Sequence, residues 1–224
     1  MRTDHLRYAA RSTTLSPIVL AASVSTVIVA VRHDHGSALP LQVAAIALAG
    51  GIGFALDDPA FEVMAASPTS LLRRRALRLL VTLPPAVALW AALLGWQGTE
   101  EIEEALALVA LAAGVFGLSL GIAGVAARRS PHGSGGVAVA PALFVLLIAS
   151  STVPPRWRPL PLGDVPGGWP QIYAGWTGAA VLGVLVFALS SRDPATAIAR
   201  RVRMRRGGSI VPTSSLSGSR PSPG

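Results

Sequence analysis

The sequence predicts an all-α polytopic membrane bundle of six transmembrane helices, with a short cytoplasmic helix between spans two and three. Three observations predict it. Hydrophobic residues make up 51% of the chain and charged residues only 13%, about half the charged share of an ordinary soluble domain. Six stretches approach the roughly 20 apolar residues that cross a bilayer as a helix. The arginines fall in alternate inter-span segments. A soluble helical bundle would need polar faces on these helices, and the stretches offer hardly any.

In chain order, residues 1–14 form a basic N-terminal segment. The first span is read as Leu15–Val31. It lacks a small-residue cleavage site before Arg32–His35, so no cleavable signal peptide is expected. The second is Leu39–Leu56, loosened by Gly50, Gly51 and Gly53. The third runs from about Ala76 to Trp96 and contains Pro84 and Pro85. Each proline removes a helical hydrogen bond and favours a kink. The fourth is Ala105–Ala127, the fifth Gly136–Val153 with Pro141, and the sixth Tyr173–Ser190. Kinked spans fit either a cavity lining or irregular packing. Residues 15–190 thus form the six-span domain. Residues 191–224 form a tail, basic through Arg206 and then rich in Gly, Ser and Pro, the composition of a disordered segment.

Arginine placement orients the bundle. With the N-terminus inside, the cytoplasmic segments hold Arg2, Arg7 and Arg11, then Arg73, Arg74, Arg75 and Arg78, then Arg128 and Arg129, then Arg192, Arg200, Arg201, Arg203, Arg205, Arg206 and Arg220. Only Arg32, Arg156 and Arg158 fall outside. Cytoplasmic loops concentrate basic residues, so both termini are expected in the cytoplasm of a multi-pass plasma-membrane protein. The sequence pI near 11.6 is then a topology signal. The Arg200–Arg206 cluster suits anionic lipid headgroups. No stacking aromatics accompany it, which argues against nucleic acid. On the external side, Gln97–Glu104 is short and acidic. Pro154–Gln171 is longer and carries Trp157 and Trp169, suited to an interfacial anchor or a partial re-entry.

The chemistry-bearing residues are sparse. All basic residues are Arg, with no Lys. A phosphate-cradling P-loop needs Lys, so any ATP binding falls to another polypeptide. Cys is absent, which excludes disulfides and thiolate sites. With Arg78 counted among the cytoplasmic arginines, the span interiors hold no Asp, Glu, Arg or His. That argues against an ion-coupled carrier. His5, His33, His35 and His132 lie outside the spans, and His33 and His35 read as a solvated turn. The Asp57–Asp58 pair has no facing carboxylate cluster. No catalytic residue, metal or cofactor is therefore expected, nor an enzyme. Small residues mark helix contacts. Gly117 and Gly121 form GxxxG in the fourth span, extended by Ala113, and Gly175, Ala179 and Gly183 repeat the pattern in the sixth.

The most specific segment is the loop DDPAFEVMAASPTSLLRRRALR, Asp57 to Arg78. Asp58 is a good N-cap with Pro59 at the first helical position. The short helix presents Phe61 and Met64 on an apolar edge, with Glu62 beside them. Ser67 and Pro68 open a second helix that continues through Arg73–Arg75 into the third span. The short helix suits docking to a partner, or lying flat on the membrane with the arginines on phosphates.

This arrangement resembles a permease of the type-2 ATP-binding cassette (ABC) transporters, the exporter-like group. The loop also resembles one found in small actinobacterial membrane proteins of this kind. The resemblance implies a coupling helix at Pro59–Ala66, docking a separate ABC ATPase through Asp58, Phe61, Glu62 and Met64. It implies an external segment at Pro154–Gln171 and a second permease chain, as in a homodimer, with transport at the interface. A lining whose few polar groups are Ser23, Ser25, Thr26, Ser119 and Ser150 suits a hydrophobic or amphipathic cargo, a lipid, natural product or peptide. The alternative is a non-transporting membrane subunit that anchors or regulates a partner complex. A neighbouring gene encoding a P-loop ATPase would favour the permease.

Overall fold

The computed structural model describes residues 15–32, 38–57, 71–98, 102–130, 134–152, 160 and 169–191. Among them the regular structure is entirely helical. We label the helices α1 (Ser16–Arg32), α2 (Leu39–Ala55), α3 (Leu71–Gln97), α4 (Ile102–Arg129), α5 (Gly136–Thr152) and α6 (Trp169–Ser190). All belong to the unit Met1–Arg192; the remainder, Asp193–Gly224, lies outside the described residues. Helices α3 and α4, and the stretch Ile172–Ser190 of α6, are long and apolar enough to cross a membrane. Helices α1, α2 and α5 are apolar and 17 residues long. At 1.5 Å per residue each spans about 26 Å, a little under the roughly 30 Å hydrocarbon core.

Two helices make the core. α2 packs on α1, α3, α4 and α5, and α4 packs on α2, α5 and α6. α2 accommodates four neighbours because its buried face is small: Ala44, Ala45, Ala49, Gly51 and Gly53 are all buried, between the larger Leu41, Leu48 and Ile52. The outer helices turn large apolar side chains away from the bundle, including Val19, Leu20 and Val27 on α1, Phe144 and Val145 on α5, and Leu182 and Leu185 on α6. So continuous an apolar exterior is foreign to a water-facing monomer. With three helices apolar enough to cross, it marks a membrane-embedded protein.

The helices alternate in direction. Ser25 Oγ lies 2.7 Å from the Ala21 carbonyl and 3.2 Å from the Ala44 carbonyl, while Gly51 meets Ala21, so α1 and α2 are antiparallel. Trp90 Nε1 donates to the Leu41 carbonyl at 3.3 Å, and Arg78 reaches Asp57, so α2 and α3 are antiparallel. Gly53 meets Val139 and Gly50 meets Leu143, which sets α5 antiparallel to α2.

α4 and α6 are parallel and joined by a glycine seam. Gly114 abuts Trp176, Gly117 abuts Ala180, Gly121 abuts Gly183 and Gly124 abuts Phe187. A Cβ on Gly117 would lie 2.7 Å from the Ala180 oxygen, and one on Gly121 3.1 Å from the Gly183 oxygen. Close backbone approach of this kind holds helices together where lipid supplies no hydrophobic drive. Gly117, Gly121 and Gly183 match the sequence expectation. Gly175 does not: a Cβ there would meet nothing within 4 Å. The α6 contact stripe runs through Trp176, Ala180, Gly183 and Phe187, one position round the helix from Gly175 and Ala179. Pro84 and Pro85 are exposed, and α3 continues through both.

Candidate functional site

The described residues gather polar groups at one end of the bundle, where α2 ends and α3 begins. At the end of α2, the Leu56 N–H donates to the Ile52 and Gly53 carbonyls and the Asp57 N–H to the Phe54 carbonyl at 3.1 Å. These tightened bonds satisfy carbonyls that a helix end leaves orphaned. Asp57 then reaches α5.

The Asp57 carboxylate Oδ1 accepts the Gly135 N–H at 2.6 Å and the Gly136 N–H at 2.7 Å. The first N–H groups of a helix lack intrahelical acceptors, and negative charge is favourable beside them. Asp57 therefore serves as an N-terminal cap supplied by another helix. The local residue that could have capped α5, Ser134, has its hydroxyl 3.0 Å from the Ser130 hydroxyl. Glycine is required at the contact. A Cβ on Gly136 would fall 2.6 Å from Phe54 Cα and 2.9 Å from Asp57 Oδ2, and Gly135 is pressed on the Ala123 carbonyl.

Three arginines complete the node. Arg78 Nη1 donates to the Asp57 carbonyl at 2.7 Å. The Arg78 carbonyl in turn accepts the Thr82 hydroxyl at 3.0 Å. Arg75 Nη1 donates to Ser191 Oγ at 3.2 Å, just past the end of α6. Arg128 Nε, at the end of α4, donates to the Ser190 carbonyl at 2.5 Å. The crevice between Leu56, Asp57, Arg75, Gly124, Gly135 and Phe187 does not admit a water molecule. The ends of α2, α3, α4, α5 and α6 are thus cross-tied by one set of hydrogen bonds.

The sequence reading counted Arg73–Arg75 and Arg78 as cytoplasmic arginines on a helix running into the third span, and did not foresee that two of them are buried. Arg75 and Arg78 are only 7% and 6% exposed and lie inside the bundle. The reason is the helix start. α3 is helical from Leu71, so positions 75 and 78 share one face three residues apart, turned to α2 and the end of α6. Leu72 and Arg73 are exposed. A buried guanidinium is tolerated because it is hydrogen-bonded.

The expected docking residues Asp58, Phe61, Glu62 and Met64 lie outside the described residues. The node holds both flanks of their segment, Asp57 on one side and the first turns of α3 on the other. The hydroxyls expected to line a pathway are dispersed. Ser23 and Thr26 are exposed and bond the Val19 and Ala22 carbonyls of their own helix. Ser25 sits between α1 and α2. Ser150 is buried and accepts the N–H of the buried Leu160 at 3.2 Å. Ser119 is buried on α4. Among the described residues no group of three or more His, Asp or Glu could hold a metal.

Sequence reasoning missed Asp57 as a cap, weighing it only in a carboxylate pair, and missed Gly135, Gly136, Ser190 and Ser191. A signal existed. Ser134-Gly135-Gly136 opens an apolar helix with two residues that have no side chain to cap it, which leaves room for an acceptor from elsewhere. Comparison of the chain with protein-family models, curated proteins and solved structures finds no match.

Proposed function

We propose that this chain is the six-span permease subunit of an ATP-driven ABC exporter in the plasma membrane, with both termini cytoplasmic. A separate ABC ATPase would bind and hydrolyse ATP, and this chain would carry no catalysis of its own. Two such chains would form the pathway for a hydrophobic or amphipathic cargo. The observation that carries the reading is the placement of the node. Segment 58–70 leaves from Asp57 and returns to α3, and these flanks are hydrogen-bonded to α5 and to the residues closing α6. A partner pressing on Phe61 and Glu62 would therefore move the ends of several helices at once. Alternating helix directions, and arginines clustered in the first turns of α3 and the last turn of α4 beside the even-numbered connections, support the six-span topology.

A non-transporting anchor or regulatory subunit is the second reading. One experiment separates them. The tagged full chain is purified from native membranes, and co-purifying ATPases are identified. Under the permease reading, changing Phe61→Ala with Glu62→Arg abolishes co-purification and ATP-driven export from vesicles. Under the anchor reading, an ATPase-free partner co-purifies and no ATP-driven flux occurs. Export of a charged sugar or ion would overturn the cargo class.

A further inference from the structure

Beside the glycine seam, α4 and α6 leave an open crevice of about 650 Å³ on the outside of the bundle. Gly121 and Gly183, where the two helices touch, form part of its lining. Its walls are apolar, with Leu118, Ile122 and Val125 on α4 and Leu182 and Val186 on α6. At one end stands Arg129. It is exposed, and no hydrogen bond or ion pair engages it among the described residues. It contrasts with its neighbour Arg128, which is tied to Ser190.

The dimensions fit one kind of occupant. From Leu118 to Arg129 the helix rises about 16 Å at 1.5 Å per residue. One leaflet contributes about half of the roughly 30 Å hydrocarbon core. An apolar slot one leaflet long, ending in an unengaged cation, is complementary to a lipid with an anionic headgroup. We propose that this crevice holds an acyl chain of an anionic phospholipid from the cytoplasmic leaflet, with its phosphate on Arg129. The inference rests on the membrane topology above and is independent of any ATPase.

The test uses the purified full-length chain in detergent micelles. Native mass spectrometry and thermal unfolding follow titration with phosphatidylglycerol, phosphatidylcholine and inorganic phosphate. Phosphatidylglycerol is expected to be retained and to raise the melting temperature, with phosphatidylcholine weaker and inorganic phosphate without effect. Arg129→Gln should weaken phosphatidylglycerol binding by about fivefold to tenfold. Arg129→Lys should retain most of it, and Arg73→Gln, at an exposed arginine on α3, should leave it unchanged. Leu182→Trp, which fills the slot, should displace the lipid. Arg129 is unengaged, so the lipid-free melting temperature of Arg129→Gln should equal that of the parent. Three results overturn the site: unchanged binding in Arg129→Gln, equal loss in Arg73→Gln, or competition by inorganic phosphate alone. The chain has no other cysteine, so Leu182→Cys that cross-links two copies in native membranes would put a second chain in the crevice instead. None of these readouts depends on Phe61 or Glu62. Failure of the lipid site therefore leaves the coupling proposal standing, and the reverse holds too.

Discussion

The Asp57 carboxylate caps the helix that begins at Gly136, 79 residues further along the chain, at 2.7 Å. A cap usually comes from the residue next to the helix. Here it comes from the second residue past α2, so the start of α5 is fixed to the end of α2. The same residue's carbonyl accepts from Arg78. Side chain and main chain of Asp57 thus join three helices at the root of segment 58–70.

Removing the cap should destabilise the bundle measurably. Asp57→Ala leaves the Gly135 and Gly136 N–H groups at the start of α5 without this acceptor, and the expected cost is about 1–2 kcal/mol. Asp57→Asn keeps an acceptor oxygen but loses the charge beside the helix start, so it should recover more than half of that cost. Thermal unfolding in micelles checks both. Equal stability of Asp57→Ala and the parent would show that water replaces the carboxylate at no cost.

Arg78 should stabilise the node through the Asp57 main chain. Arg78→Leu takes the charged donor from the Asp57 carbonyl in a buried setting, at an expected cost of about 1.5–3 kcal/mol. Lys cannot reproduce the planar guanidinium fork, so Arg78→Lys should rescue only in part. Arg73→Leu, on the exposed face, should cost less than Arg78→Leu, since exposed charges contribute little. Asp57→Ala keeps the main-chain carbonyl that Arg78 bonds, so in a double-mutant cycle the costs of Asp57→Ala and Arg78→Leu should add to within about 0.5 kcal/mol. A larger deviation would mean that Arg78 also depends on the Asp57 carboxylate.

The seam between α4 and α6 gives opposite signs for the same chemical change. Gly117→Ala places a methyl group where the Ala180 backbone already stands, and the helices must separate, at an expected cost of about 1–3 kcal/mol. Gly178→Ala meets nothing within 4 Å. It should be neutral or stabilising by up to about 1 kcal/mol, because alanine is the better helix former. If both substitutions act alike in an unfolding assay, the register of the seam is wrong.

These residues also show what the sequence made legible. The helices begin and end close to where apolar runs do, because hydropathy is a local property and lipid leaves helix as the natural way for such runs to satisfy their backbone. Gly117 and Gly121 were readable as contact glycines for the same reason. Gly114 and Gly124 were not singled out, although the order 114, 117, 121, 124 repeats at the three- and four-residue steps of a helix stripe. On α6 the choice between Gly175 and Trp176 was not local. Both steps are helical, and only the partner surface decides which side of α6 turns inward. Asp57 is the clearest case of this kind. Its neighbour Asp58 has the stronger local signal, a carboxylate before proline, whereas the acceptor role of Asp57 depends on a pair of glycines far along the chain. Arg75 and Arg78 were legible as arginines on the helix that leads into the third span, but their burial was not, because it depends on partners from α2 and beyond α6.

The number of crossings is open to a direct test, since α1, α2 and α5 are only 17 residues long. A helix a few ångströms short of the hydrocarbon core is accommodated by local thinning of the bilayer or by snorkelling flanks, at a modest cost. Their packing against the longer helices in alternating directions argues that they follow the same axis. The parent chain contains no cysteine, so single cysteines report sidedness cleanly. Thr99→Cys and His132→Cys lie on either side of α4 and should differ: a membrane-impermeant maleimide labels the first in intact cells and the second only after permeabilisation. The decisive positions are His35→Cys, between α1 and α2, and Arg158→Cys, between α5 and α6. Six crossings put both outside, so both should label in intact cells like Thr99→Cys. If only α3, α4 and α6 cross, position 35 stays on the side of segment 58–70 and position 158 on the side of His132. Both would then label only after permeabilisation; segment 58–70 would stay on the cytoplasmic side, and residues 191–224 would lie outside instead of in the cytoplasm.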